Sequence, residues 1–332
     1  MNVLNGASIL VTGGTGSFGK AFIRKVLAEH EPERVIVFSR DELKQFEMQG
    51  DGFTDKRLRF FLGDVRDRDR LFRAFDGVDV VVHAAALKQV PACEYNPFEA
   101  IRTNVIGGQN IIDMAIERGV RRVLALSTDK ACNPANLYGA TKLCSDKLFI
   151  AGNHYVGDKD TAFAVVRYGN VVGSRGSVVP FFVKQRATGR LPVTHEAMTR
   201  FWITLAQGVQ FVLDSLERMQ GGELFVPKIP SMNVMDLARA IGPDCEIDIV
   251  GIRPGEKLHE VMISEDDARN TLDMGSHFIL QPEFSWWKKR GEPHRASGTP
   301  VPDGFRYSSD NNDTWLTTAQ LRDIIRPFDP QA

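Results

Sequence analysis

The stretch that decides the fold is Ser8-Ile9-Leu10-Val11-Thr12-Gly13-Gly14-Thr15-Gly16-Ser17-Phe18-Gly19. Its first five residues form an apolar run typical of a buried strand, and a helical pattern follows from Ala21 to Ala28. Glycines at 13, 16 and 19 let the backbone turn tightly and approach a pyrophosphate, whose charge is favoured at a helix amino terminus. A glycine turn alone is weak evidence. Its place between a strand and a helix favours a dinucleotide-binding loop over a simple turn.

Strands and helices alternate through the first half of the chain. Further apolar runs lie at 34–38, 59–62, 79–82, 123–126 and 162–167. This alternation predicts an α/β fold with a Rossmann-type doubly wound parallel sheet, which binds ligands at the carboxyl ends of its strands. With 332 residues there is room for a smaller lobe. We expect an NADP-binding core over residues 1–170, to which parts of the later chain return, and mainly a substrate-binding lobe with a carboxyl-terminal extension over 171–332.

The end of the second strand indicates the type of dinucleotide. It carries Ser39, Arg40 and Asp41, with Lys44 one helical turn beyond Arg40. A carboxylate at the strand end would bind the ribose of NAD, whereas a hydroxyl, a guanidinium and an ammonium suit the 2′-phosphate of NADP. We therefore predict NADP. Asp41 keeps NAD possible, and a solvated basic edge is the alternative.

Three further segments are expected to line the cofactor. Asp64 and Val65 follow the third strand, where Asp64 could accept a hydrogen bond from the adenine amino group. Ala84 and Ala85 follow the fourth strand and leave space for a nicotinamide ribose, while His83 beside them is interpreted as structural. Asn104 lies in a helical stretch from Glu94 to Gly119, broken at Gly107-Gly108, which suggests a close helix contact; we count Asn104 as cofactor-binding.

The fifth strand ends in a run rich in groups of catalytic type. Ser127, Thr128, Asp129 and Lys130 follow the strand directly, and Asn133-Pro134-Ala135-Asn136 breaks the chain before a helix resumes. Tyr138 and Lys142 are four residues apart, so they share one helix face. An ammonium near a phenol favours the phenolate, which predicts a tyrosine base.

Composition excludes several classes of function. Hydrophobic residues at 43% and charged residues at 25% are ordinary for a globular protein. A formal net charge of -1 provides no field for nucleic acid or anionic membrane. The four cysteines show neither metal-ligand nor disulfide-scaffold spacing, and no apolar run is long enough for a membrane span. We expect a cytoplasmic enzyme without a metal.

One later loop has the composition of a second anion site. Arg253-Pro254-Gly255-Glu256-Lys257 carries two cations and a carboxylate, which suits a second phosphate or nucleotide. The alternative for Arg253 is a surface turn.

Together these motifs resemble the extended short-chain dehydrogenase/reductases that modify nucleotide sugars. The resemblance rests on the glycine loop and on Tyr138-x-x-x-Lys142, and it covers about residues 5 to 264. Within that family the chain is most similar to members that dehydrate UDP-N-acetylglucosamine with inversion at C5. That similarity is carried by Ser39 to Gln45, Ser127 to Lys130, Arg167 to Phe182, Met198 to Thr204 and Gly251 to Glu260.

The resemblance implies roles residue by residue. Thr15, Gly16, Ser17 and Phe18 resemble the pyrophosphate loop, Ser39 to Lys44 the 2′-phosphate site, and Asp64 with Val65 the adenine site. Contacts to the sugar nucleotide are implied for Lys88, Asp129, Asn170, Thr194, Arg200, Arg253 and Glu256. The resemblance also implies a homo-oligomer, specifically a hexamer, and a reaction that is the first step of pseudaminic acid biosynthesis.

A reaction scheme follows from the same resemblance. The Tyr138 phenolate takes the 4-hydroxyl proton while hydride passes from C4 to NADP, and the 4-keto group acidifies the C5 hydrogen. Lys130 then removes that hydrogen as a proton, Asp129 assists loss of the 6-hydroxyl as water, and hydride returns to C6. Thr128 completes the catalytic candidates.

Lys130 is the position that discriminates. Members that retain configuration typically carry Asp-Glu at 129 and 130, whereas inverting members resemble the Asp-Lys found here. A free lysine is protonated at neutral pH, so Lys130 needs a strongly lowered pKa to act as a base. The alternative is an ion-pair partner of Asp129.

Three positions depart from the family pattern. Gln89 stands where a histidine is usual, Cys132 replaces an alanine, and His195-Glu196-Ala197 replaces an acidic run, so substrate recognition could differ. The alternatives are a retaining dehydratase, a nucleotide-sugar epimerase or ketoreductase, and a non-catalytic NADP-binding protein.

Overall fold

The computed structural model describes residues 3–173, 177–284 and 286–329. Ser174, Arg175 and Gly176, which belong to one of the runs that carry the family resemblance, lie outside the described residues.

Seventeen strands are described. In chain order they are β1 Ser8–Thr12, β2 Arg34–Ser39, β3 Leu58–Leu62, β4 Val80–His83, β5 Arg122–Leu126, β6 Ala162–Val166, β7 Asn170–Val171, β8 Arg190–Val193, β9 Thr199–Ile203, β10 Leu224–Pro227, β11 Ser231–Asn233, β12 Glu246–Ile249, β13 Val261–Ile263, β14 Thr271–Asp273, β15 His277–Leu280, β16 Thr299–Pro300 and β17 Tyr307–Ser308.

Thirteen α-helices connect them within the described ranges. They are α1 Ser17–Glu29, α2 Glu42–Gly50, α3 Arg68–Ala74, α4 Val90–Tyr95, α5 Pro97–Ile101, α6 Gly107–Arg118, α7 Leu137–Gly152, α8 Val178–Arg186, α9 Leu205–Arg218, α10 Val234–Ile241, α11 Trp287–Arg290, α12 Glu292–Ser297 and α13 Thr318–Ile325. A π-helical turn covers Arg102–Ile106, and 3₁₀ turns cover Asp129–Ala131, Ala268–Asn270 and Arg326–Phe328.

The central sheet has ten strands in the order β16-β14-β15-β10-β6-β5-β4-β1-β2-β3. Strands β1 to β6 and β10 run parallel, and β15, β14 and β16 add an antiparallel edge. The order 3-2-1-4-5-6 is that of a doubly wound sheet, with its switch point between β1 and β4. The predicted α/β fold is confirmed.

The strands are buried because helices cover both faces of the sheet. Ile9, Leu10 and Val11 of β1 are fully buried, as are Val123 and Leu124 of β5. Strands buried on both faces read as continuous apolar runs. That is why these segments could be predicted from sequence.

A second, smaller core lies beyond residue 171. It joins buried side chains of α8, β8, α10 and α13, among them Phe182, Leu191, Leu237, Leu321 and Ile325. Other parts of the later chain return to the main sheet as β10 and β14 to β16, and β7, β9 and β11 form a separate three-stranded sheet. The carboxyl-terminal strand β17 pairs with β13.

The predicted helix from Glu94 to Gly119 is broken in a different place from the one expected. Helices α4 and α5 meet at Asn96, and the π-helical turn separates α5 from α6. The predicted close contact at Gly108 is confirmed, since an added Cβ would lie 3.4 Å from Ser145 Oγ of α7. Among the described ranges no helix is both long and apolar enough to cross a membrane.

Candidate active site

A cleft of about 820 Å³ opens at the carboxyl ends of the parallel strands. The glycine loop forms one wall, and the end of β5 with the start of α7 forms another, so the two stretches singled out from sequence face each other. The predicted site residues that line it are Gly13, Thr15, Gly16, Ser17, Phe18, Gly19, Ser39, Arg40, Asp41, Lys44, Asp64, Val65, Ala84, Ala85, Lys88, Thr128, Asp129, Lys130, Tyr138, Lys142 and Asn170.

The glycine loop has the shape that a pyrophosphate requires. Gly13 has a φ of +66°, and an added Cβ there would lie 3.0 Å from the Ala85 backbone nitrogen. A Cβ at Gly19 would lie 2.5 Å from Gly14. Helix α1 then begins at Ser17, and its first turn carries no acidic side chain to oppose an anion. The loop therefore fits a dinucleotide.

The end of β2 presents hydroxyls and paired cations. Ser39 Oγ lies 3.0 Å from Thr15 Oγ1. Lys44 Nζ is 2.5 Å from Asp41 Oδ2, and the exposed Arg40 reaches Asp64 at 3.6 Å. To bind a 2′-phosphate, Arg40 and Lys44 would have to exchange their contacts with Asp64 and Asp41 for contacts with the phosphate.

The Asp64 carboxylate already accepts hydrogen bonds from a neighbouring arginine, which the sequence did not predict. Arg66 donates to both of its carboxylate oxygens, with a shortest distance of 2.7 Å. Burial raises the pKa of Asp64, but the Arg66 hydrogen bonds outweigh that effect and leave it lowered. An adenine amino group would have to share this carboxylate with Arg66.

Asn104 does not lie on the wall of the cleft. Its side-chain amide donates to Leu87 O and accepts from Leu87 N, both at 2.8 Å, and donates to Thr141 Oγ1 at 3.0 Å. It therefore holds the cleft-lining segment after β4 rather than presenting its amide to a cofactor. His83 is likewise turned inward, 2.8 Å from Thr12 Oγ1, and burial lowers its pKa to about 3.

Tyr138 enters the cleft from the first turn of α7. That helix begins where Asn136 Oδ1 accepts from Gly139 N at 2.8 Å. Burial raises the pKa of Tyr138 to about 12, against the charge of Lys130 and a hydrogen bond with Thr128, which both lower it. The cation with the largest lowering effect on the phenol is thus Lys130.

Lys142 is buried beside an acidic partner on its own helix. Burial lowers the pKa of Lys142, and the charge of Asp146 opposes that effect. Asp146 accepts from Ser127 Oγ at 2.7 Å and pairs with Arg167 at 3.3 Å. Asp146 thus joins α7 to the residues that follow β5 and β6, and Lys142 lies beside this buried network. The action of Lys142 on Tyr138 stays a prediction.

Lys130 lies between two buried carboxylates. Its Nζ is 3.0 Å from Asp129 Oδ1 and 3.0 Å from Glu260 Oε1. Burial lowers the pKa of Lys130, but the two carboxylates outweigh it, so the pKa is raised. A lysine that acts as a base needs a lowered pKa, and the two carboxylates shift the pKa of Lys130 in the opposite direction.

The pKa values of the two carboxylates in this cluster are shifted in opposite directions. Burial and the charge of Glu260 raise the pKa of Asp129 against the opposing effect of Lys130. Glu260 is also buried, but Lys130, Arg200 and Lys257 leave its pKa lowered. Within the described residues Asp129 Oδ2 has no hydrogen-bond partner. Asp129 is thus the member most ready to take up a proton.

Four predicted substrate residues lie outside the wall of the cleft. Arg200 donates to Lys257 O and lies 3.8 Å from Glu260, so it contacts the Asp129–Lys130–Glu260 cluster through Glu260 and not through the cleft. Thr194 donates to Met198 Sδ. Arg253 is exposed and pairs loosely with Glu256, at 4.0 Å.

The loop that carries Arg253 and Glu256 nevertheless adjoins the site. Asn136 Nδ2 donates to Gly255 O at 2.8 Å, and Lys257 Nζ donates to Cys132 O at 2.6 Å. A ligand extending from Tyr138 along the cleft would therefore approach this loop.

Glu260 is the residue that sequence reasoning missed. It stands in the run Gly251 to Glu260 that supports the family resemblance, yet it received no role there. The available signal was a carboxylate directly before the apolar strand β13, where a charge is buried only with a partner. Among the described residues no group of side chains could hold a metal ion.

Comparison with known proteins places this cleft in a family context. A model of the family described as polysaccharide biosynthesis protein matches residues 9–282. A UDP-N-acetylglucosamine 4,6-dehydratase (inverting) of Campylobacter jejuni is 54% identical over 329 residues, which cover 97% of this chain and 98% of the relative.

Solved structures agree with that match. Pen from Bacillus thuringiensis has a TM-score of 0.87 at 35% identity, covering 98% of each chain. A double mutant of DesIV, a dTDP-glucose 4,6-dehydratase from Streptomyces venezuelae with NAD and DAU bound, has a TM-score of 0.66 at 26% identity, covering 75% of this chain and 86% of that one.

Proposed function

Because this chain belongs to the polysaccharide biosynthesis protein family and is an enzyme of the short-chain dehydrogenase/reductase type, we propose that it is an inverting UDP-N-acetylglucosamine 4,6-dehydratase. The product would be UDP-2-acetamido-2,6-dideoxy-β-L-arabino-hex-4-ulose. The name of the Campylobacter relative supports the substrate.

The observation that carries this proposal is the position of the Asp129–Lys130 pair beside Tyr138. All three line one cleft, opposite a glycine loop shaped for a dinucleotide. A nicotinamide dinucleotide held by that loop would take hydride from C4 and return it to C6. An epimerase or ketoreductase needs only Tyr138 and Lys142, whereas removal of a proton from C5 and hydroxide from C6 needs a further base and acid.

Tyr138 has the role of base toward the 4-hydroxyl. Burial raises its pKa to about 12, which is too high for phenolate at neutral pH, so a cation must lower it. Lys130 already does so, and the positive charge of an oxidised nicotinamide would act in the same direction. Once C4 is a ketone, the C5 hydrogen is acidic enough for an amine to remove.

Asp129 and Lys130 can form the required acid and base together. If one proton passes from Lys130 Nζ to Asp129 Oδ1, over 3.0 Å, the pair becomes an amine and a carboxylic acid without a change in total charge. The amine takes the C5 proton and the acid protonates the leaving 6-hydroxyl. Water departs, a C5–C6 double bond forms, and the pair returns to ammonium and carboxylate. When hydride returns to C6, a proton adds to the opposite face of C5, which inverts that centre.

Several finer statements belong to the same proposal. The hydroxyl of Ser39 with Arg40 and Lys44 at the end of β2 supports NADP over NAD. We place the boundary of the cofactor-binding core near residue 170. The pseudaminic acid pathway, a cytoplasmic location and a homo-oligomer, a hexamer by resemblance, follow from the family likeness.

Incubation of the purified protein with UDP-N-acetylglucosamine tests the activity. NMR of the reaction should show a new C6 methyl group and a C4 ketone or its hydrate. An epimerase would give UDP-N-acetylgalactosamine, with no new C6 methyl signal beside that of the N-acetyl group. Unchanged substrate in the presence of added NADP would contradict the proposal.

A further inference from the structure

A buried carboxylate next to the catalytic candidates has no role in the scheme above. Glu260 is only 2% exposed and does not line the cleft, so it cannot contact a sugar directly. Its Oε1 is 3.0 Å from Lys130 Nζ, the same separation as between Lys130 and Asp129. Any effect of Glu260 on the reaction must therefore pass through the Asp129–Lys130 pair, which lines the cleft.

The backbone around Glu260 is held from two sides. Glu260 N donates to Ser309 Oγ at 2.9 Å, and Ser309 N donates to Glu260 O at 2.8 Å. Ser309 Oγ also lies 2.7 Å from Thr199 Oγ1, which contacts His259 Nδ1 at 2.8 Å. Thr199 of β9 and Ser309, which follows β17, thus hold the backbone that carries this carboxylate.

The charges that face Glu260 come from three elements. Lys130 belongs to the 3₁₀ turn after β5, Arg200 lies on β9 at 3.8 Å, and Lys257 lies on its own loop at 3.8 Å. Asp129 shares Lys130 with it as the second carboxylate. Three cations keep Glu260 ionised, so its negative charge acts continuously on the Asp129–Lys130 pair.

We infer that Glu260 is a positioning residue, which holds the Lys130 ammonium against Asp129 and sets by its charge the pH at which this pair exchanges the C5 proton. This inference rests on the proposed function. A negative charge beside a carboxyl and beside an ammonium favours the protonated form of both. Removing that charge therefore moves the working range of the pair to lower pH, whichever of the two groups limits the rate.

The test is the rate at which deuterium from heavy water enters C5, measured against pH for wild type, Glu260→Gln and Glu265→Gln. Glu265 is exposed and lies five residues beyond Glu260, so its variant is the matched control. The Glu260→Gln profile should move to lower pH by about one to three pH units, and the control should overlay the wild type. Glu260→Asp keeps the charge and should keep the wild-type profile at a reduced rate.

Three outcomes would count against the inference. The first is a Glu260→Gln profile that coincides with that of wild type. The second is a loss of Glu260→Gln activity by the same factor at every pH together with a lower melting temperature, which indicates a structural role alone. If Glu260→Gln does not fold, a shifted profile for Glu260→Asp overturns the inference. Wild-type protein that forms no 4-keto sugar refutes the proposed function instead, so the two failures are distinguishable.

Discussion

At the scale of single residues, the site depends on how one ammonium is shared. Lys130 contacts Asp129 and Glu260 at equal distance, and it is also the cation that most lowers the pKa of Tyr138. In the proposed reaction, oxidation at C4 and proton removal at C5 are therefore coupled through the same side chain. This coupling distinguishes the cleft from one that uses only a tyrosine and a lysine.

Lys130→Ala should affect both steps in different ways. Loss of the amine should slow deuterium exchange at C5 by about 100-fold or more, the usual value of a positioned base. Loss of its charge raises the pKa of Tyr138 further, so C4 oxidation, which needs phenolate, should shift to higher pH. Absorbance of the reduced nicotinamide across pH measures the second effect.

The control for this variant is Lys147→Ala, which removes an exposed cation from α7, the helix that carries Tyr138. It should leave both rates unchanged. A Lys130→Ala enzyme that exchanges C5 hydrogen at the normal rate would show that Lys130 is not the base.

Arg40→Ala should discriminate the two nicotinamide dinucleotides. A charge-assisted hydrogen bond to phosphate contributes about 1.5–3 kcal/mol, so NADP binding should weaken by about 10- to 100-fold while NAD binding changes little. Calorimetric titration of both cofactors measures this, with the exposed Lys56→Ala as control. Equal loss for both cofactors would contradict a 2′-phosphate contact.

At the scale of elements, the cleft depends on segments that touch no ligand. The π-helical turn between α5 and α6 turns Asn104 toward Leu87, and so ties the segment after β4 to that turn and to Thr141 of α7. Extra residues in a helix of this kind are frequent near functional sites. The π-helical turn therefore has a structural role, since it carries the residue that holds the segment after β4 in place.

Asn104→Ala should destabilise the protein even without cofactor. The substitution leaves both backbone groups of Leu87 without their side-chain partner, which costs about 1–3 kcal/mol for each buried group left unpaired. Urea unfolding of the cofactor-free protein measures the loss. The exposed Asn96→Ala serves as control, and a stable Asn104→Ala that only binds cofactor less tightly would indicate direct contact instead.

At the scale of the whole molecule, the described residues form two hydrophobic cores. The large core surrounds the parallel sheet, and the smaller one joins α8, α10 and α13. The carboxyl-terminal segment bridges both, because α13 packs in the small core while Ser309 holds the backbone of Glu260. The chain after residue 264 is therefore part of the site's support.

Leu321→Ala should loosen the small core selectively. Leu321 is fully buried in α13, and truncation of such a leucine typically costs about 2–5 kcal/mol. Hydrogen exchange should accelerate in α10 and α13 and stay slow in β1 and β5. Equal acceleration in both regions would mean that the two cores unfold as one unit.

Much of this architecture was predictable from sequence because its signals are local. The strand–glycine–helix pattern at Ser8 to Gly19 and the apolar runs of β2 to β6 depend on burial of consecutive residues, and the structure confirms them. The cleft-lining position of Tyr138 and Lys142 followed from helix periodicity in the same way.

Contacts between distant segments were not predictable. Glu260 meets Lys130 across 130 positions of the chain. The inward turn of Asn104 depends on a π-helical turn for which the sequence carries no simple signal. Such pairings are set by tertiary packing alone.

The most direct test of the central claim is the configuration at C5 of the product made in heavy water. Proton NMR of UDP-N-acetylglucosamine turned over by this protein should show a C6 methyl group, deuterium at C5, and the ring couplings of the L-arabino sugar. A 6-deoxy-4-keto sugar that retains the D configuration at C5, or a product with hydrogen still at C5, would contradict it.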